Sequence, residues 1–129
     1  MELPKEIIRL CADLGFAASR FPSMGVECVQ IFEGIRVVSP DSPVWAVGHG
    51  MVYANAGRDP GRACAFLNEQ GITEDSGDMA GRAFLGMFLA LAKRSAQSEK
   101  VLNKVIDDGS DEQAVELAQT MLDNMKLVS

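Results

Sequence analysis

Apolar residues along this chain recur at intervals of three and four, and glycine, proline, serine and aspartate break the pattern into short segments. The clearest period runs through 111–126, where Ala114, Leu117, Ala118, Met121, Leu122 and Met125 fall at i, i+3, i+4, i+7, i+8 and i+11. That spacing gathers all six on one side of an α-helix, so the segment predicts a helix with a single buried face. Its start is signalled too: Gly109 can close the preceding helix in a left-handed cap, and Ser110 with Gln113 has the spacing of a capping box. Ser42 before Pro43 and Asp59 before Pro60 mark two further starts, each an N-cap residue followed by a proline preorganised for the first helical position. Taken together, the pattern predicts seven helices, over 4–20, 23–38, 43–56, 60–70, 78–93, 97–107 and 111–126.

The faces of these segments differ. Cys28, Ile31, Phe32 and Ile35 share one side of the second, and Val101, Leu102, Val105 and Ile106 one side of the sixth. The fifth is apolar almost all round, with Phe84, Leu85, Met87, Phe88, Leu89 and Leu91, which predicts a central helix buried on several sides or facing a partner. Consecutive helices with short turns invite a search for a repeat. Gly50, Tyr53, Gly57, Ala63 and Leu67 follow the small, aromatic, Gly, Ala, large order of a tetratricopeptide unit, with one extra residue in the turn after Gly57. Gly15, Phe16, Cys28, Phe32 and Pro40 approximate the same unit upstream. The expected fold is therefore all-α, one domain over 1–129, built of tetratricopeptide-like antiparallel helix pairs, with Gly50 and Gly57 as packing and turn glycines.

Composition narrows the classes of function. The chain has 129 residues, 47% of them hydrophobic, enough for one domain with a core. Its 18 acidic and 12 basic residues give a formal charge of -6, the wrong sign for a surface that must neutralise phosphates, so nucleic acid is not an expected partner. Charges interrupt every hydrophobic stretch, so no membrane span is expected. Met1 to Arg9 carries Glu2, Lys5, Glu6 and Arg9 with no apolar run behind it, which does not read as a secretory signal and leaves the cytoplasm as the expected location. Cys11, Cys28 and Cys64 are odd in number and widely spaced, and read as small buried hydrophobes.

The inventory of reactive groups is thin, and no enzyme activity and no cofactor are expected. The single histidine, His49, reads as a helix residue near an interhelical contact. A thiol enzyme built on Cys64 and His49 is the strongest catalytic alternative, but no local motif supplies an orienting third group. Gly48, Gly50 and Gly57 give no nucleotide-binding fingerprint, one histidine with scattered cysteines gives no metal set, and Glu74, Asp75 and Asp78 lack the spacing of a calcium loop. Those three acids read as a solvated loop before a helix N-terminus, where the dipole favours negative charge.

The segments FEGIRVVSP (32–40), HGMVYANAGRDPGRACAFLNE (49–69) and 83–122 resemble the small tetratricopeptide-like proteins of bacterial type III secretion systems, the Hrp-type family and its YscG-type relatives. Residues 35–40 and 51–65 carry the likeness, while Asp59 and Pro60 in the turn and the long 71–77 connection depart from the family's pattern. The resemblance implies a non-catalytic chaperone that binds a needle subunit, a small helical co-chaperone, or both. Such a protein would cover the amphipathic helix through which a needle subunit polymerises. The groove implied is lined by Val44, Val47 and Met51 on the third segment and by Met87 and Leu91 on the fifth, methionine giving an adaptable contact. The plainer alternative for these five is core packing. The alternative function is a general scaffold that joins other proteins or self-associates.

Overall fold

In a computed structural model that describes residues 21–128, the Ser42–Pro43, Asp59–Pro60 and Gly109–Ser110 breaks stand where the chain turns, and all regular structure is helical. A single 3-10 turn, Pro22–Met24, leads into α1 (Gly25–Val38), α2 (Val44–Asn55), α3 (Pro60–Glu69), α4 (Met79–Leu91), α5 (Ser95–Asp108) and α6 (Glu112–Val128). Six of the seven expected helices are thus present within two residues of their expected bounds. The helix expected over 4–20, with Cys11, Gly15 and Phe16, lies outside the described residues.

Local chemistry accounts for most of the boundaries. Asp59 Oδ1 accepts from the Arg62 N–H at 3.0 Å, and Pro60 takes the first helical position of α3. Ser42 Oγ accepts from the Val44 N–H at 3.3 Å ahead of α2. Gly109 adopts φ 68°, and its N–H donates to Val105 O at 3.2 Å, the left-handed cap expected at the end of α5. The start of α6 corrects the expected capping box. Asp111, not Ser110, caps it: Asp111 Oδ1 accepts from the N–H groups of Gln113 at 3.0 Å and Ala114 at 3.1 Å. Ser110 turns back, donating both its N–H and its hydroxyl to Asp108 Oδ1. The left-handed Gly109 leaves Ser110 one residue short of the first turn, so the next oxygen-bearing side chain takes the cap.

Neighbours in sequence are neighbours in space. α2 packs between α1 and α3, α3 reaches α4, and α4 lies on α5, α6 and α2. Helices two apart touch, α2 with α4 and α4 with α6, which is the packing order of stacked helix pairs. The main core draws Cys28, Phe32 and Ile35 from α1, Trp45 and Val47 from α2, Ala63, Cys64, Phe66 and Leu67 from α3, and Leu85, Phe88 and Leu89 from α4. A second cluster joins Met79 and Ala83 of α4 to Leu102, Val105, Ala114 and Ala118. The all-round apolar α4 therefore feeds both cores. Burying a residue such as Phe32, Phe88 or Leu67 stabilises the fold by about 1.5–3 kcal/mol each.

Two glycines set how close the helices come. A Cβ on Gly48 would fall inside the Phe32 ring of α1, and one on Gly86 would lie 2.5 Å from Leu102 Cδ2 of α5. At the Gly86 crossing the fully buried Ser98 donates its hydroxyl to Gly86 O at 2.7 Å, tying α5 to the α4 backbone. Of the repeat positions, Gly50 packs against Phe88, Ala63 and Leu67 are buried, and Gly57 lies in the α2–α3 turn with its Cβ position 2.8 Å from Tyr53 O.

Candidate binding surface

Helix α2 presents two opposite faces, and the four-residue period sorts them. Trp45, His49 and Tyr53 form one stripe. His49 stacks on Tyr53 with ring centroids 5.3 Å apart and lies 4.4 Å from Phe66 of α3, while Phe66 meets Trp45 edge-on at 6.3 Å. Cations flank the stripe: the Arg36 guanidinium of α1 sits 5.0 Å from the Trp45 ring and that of Arg62 sits 4.9 Å from the Tyr53 ring. Arg36 also pairs with Glu33 at 3.4 Å, and Arg62 with Glu69 at 3.1 Å.

His49 Nδ1 lies 3.4 Å from Glu33 Oε1, an ion-pair distance without hydrogen-bond alignment. Burial pulls the imidazole below its ordinary value, against the opposing pull of Glu33. His49 is thus an interhelical contact between α1, α2 and α3. Cys64 is 1% exposed, and burial pushes its thiol up, which withholds thiolate at neutral pH. Cys28 is equally enclosed, its thiol also raised by burial.

The opposite face of α2 holds the residues expected to meet a partner. Val44 and Met51 are half-buried against the main core, as is Met87 on α4, and Leu91 is 51% exposed. Val47 is 3% exposed and belongs to the core, which corrects its place in the expected groove: it has no surface left for a partner. Phe84, which the sequence reading left out of the surface, falls on the same stripe of α4 as Met87 and Leu91, at i, i+3 and i+7, and is half-buried. The period alone could have found it.

Among the described residues, no group of three or more His, Cys, Asp or Glu side chains could hold a metal ion, and no helix is long and apolar enough to cross a membrane. The chain matches no protein-family model, no curated protein and no solved structure. None of these comparisons identifies a family.

Proposed function

We propose that this protein binds an apolar helix of another polypeptide along the face of α4 and the adjoining edge of α2, and so shields that helix from other contacts. The observation that carries the reading is the stripe Phe84, Met87 and Leu91, a helical row of large apolar side chains that ends in the half-exposed Leu91 on the most hydrophobic of the described helices. A helix laid against such a row gains from burial on both sides, at ~25 cal/mol per Å² of apolar surface removed from water. The motif resemblance makes an export substrate with a polymerising amphipathic helix, such as a secretion needle subunit, the first partner to test.

The test is co-expression with such a subunit and a small helical co-chaperone, followed by mass measurement of the purified complex. The expected result is a stable complex, and one that the substitution Leu91→Glu, at an exposed position, weakens by about tenfold or more while the helical melt is unchanged. A chain that purifies alone beside its candidate partners, or a variant that binds as well as the parent, would defeat the reading. Capture of a non-exported helical protein, with none of the export subunits, would move it to a general scaffold.

A further inference from the structure

Helix α2 packs on α1, α3 and α4, and the directions of those contacts define an apolar edge between two of them. A Cβ on Gly48 would meet Phe32 of α1, and one on Gly50 would meet Phe88 of α4, so the two glycines mark where α2 faces each neighbour. Val44 and Met51, two turns apart and therefore on one line, lie on the arc between those directions, away from the Trp45, His49 and Tyr53 stripe that meets Phe66 of α3. Both are half-buried against the main core.

The chain enters the fold at one end of this edge. A Cβ on Gly25 would lie 3.5 Å from Ala56 Cβ and 4.0 Å from Val52 Cγ1, so α1 begins beside the C-terminal end of α2 and runs antiparallel to it. Only the 3-10 turn Pro22–Met24, closed by the Met24 N–H donating to Phe21 O at 2.9 Å, separates residue 20 from that point. Residues 4–20 are thus tethered next to the Val44–Met51 edge, and their sequence carries a matching face. Ile7, Cys11, Leu14 and Ala18 recur at i, i+4, i+7 and i+11, with Ile8 and Leu10 beside them, while Lys5, Arg9, Asp13 and Arg20 fall on the opposite side. As a helix this segment would extend about 25 Å, enough to run the ~18 Å length of α2. So short a tether gives an effective concentration on the order of millimolar, which favours the segment over a free helix with an equal apolar face.

We infer that residues 4–20 seat as a helix on the Val44–Met51 edge of α2, with Ile7, Cys11 and Leu14 inward, and that a partner helix gains this edge only by displacing them. The inference rests on the proposed function for the competition alone; the seat stands on the tether, the length and the two matching faces.

Cys11 reports the seat in the full chain. Cys28 and Cys64 are buried, so they resist brief iodoacetamide treatment while the chain is folded and serve as internal controls when the modified cysteines are identified by mass. The expected result is that Cys11 alkylates at least about tenfold more slowly than in the same chain unfolded in urea. Met51→Glu should raise its rate about tenfold, as should the double variant Ile7→Glu, Leu14→Glu on the segment itself, whereas Val37→Glu, exposed on the outer side of α1, should leave it within about twofold. Modification of Cys28 together with Cys11 would mark the Met51→Glu chain as unfolded, and the segment variant then decides: Cys11 still protected in it overturns the seat. Cys11 reacting at the unfolded rate in the parent chain also overturns it, as does release by Val37→Glu and not by Met51→Glu, which would put the segment on the outside of α1. Competition is read with the needle subunit of the co-expression test. The segment variant should bind that subunit at least about threefold more tightly than the parent, and equal binding would overturn the displacement. The alkylation itself uses no partner. A protected Cys11 with no subunit captured would remove the proposed function alone, and capture by a chain whose Cys11 reacts freely would remove this inference alone.

Discussion

Gly48 and Gly34 are both helical, yet their surroundings give substitution opposite signs. An alanine at Gly48 would drive its methyl into the fully buried Phe32 ring, which has no free space to move into, so Gly48→Ala should cost about 1–3 kcal/mol. Nothing lies within 4 Å of a Cβ at Gly34, on the exposed side of α1, so Gly34→Ala should add about 0.5–1 kcal/mol through helix propensity. Urea denaturation of both variants measures the contrast. His49 supplies a second expectation. Its folded pKa lies below the ordinary 6.5, so the unfolded chain binds the proton more readily. Stability from this residue is whole above about 6.5 and declines as pH falls from there toward the lowered folded value. Asp108, held below its ordinary 3.8 by hydrogen bonds from Ser110, titrates beneath that window. His49→Gln should flatten the stability profile below about pH 6.5. A slope unchanged in that variant would assign the titration to another group. At this scale the sequence placed His49 on a helix near an interhelical contact. Its partners Glu33 and Phe66 come from other helices, and no local spacing reveals them.

For single elements, the sequence was most informative where one residue type has one physical use. Proline after aspartate at Asp59 and Pro60, and glycine at 109, gave a helix start and a helix end because φ is restricted in the first case and freed in the second. The start of α6 was harder, because Ser110 and Asp111 are adjacent and both are good cap residues. Which of them caps depends on the direction in which the chain leaves Gly109. Asp111→Ala should therefore cost about 1 kcal/mol, and Ser110→Ala a few tenths, in thermal or chemical unfolding. The same limit applies to α4. Its all-round hydrophobicity correctly marked a central helix, but which residues it buries follows from the positions of α2, α5 and α6.

In the whole molecule, the period of apolar residues by itself determined that the described span is helical, the order of its helices and the buried faces of α1, α5 and α6, because helix geometry converts spacing into direction without reference to anything distant. It also indicated that α4 would be central and that Met87 and Leu91 share a stripe. Tertiary structure alone decided that Val47 is core while Leu91 is half-exposed, since both are apolar residues at helical spacing and only the neighbouring helices separate them. It alone decided that Gly48 and Gly86 are the points of closest approach. It also gathered Asp41 and Asp78, 37 positions apart in the chain, at one cavity beside Trp45. The physical reason is range. Periodicity and capping act over a few residues, whereas exposure and cavities arise when separate helices come to rest against one another.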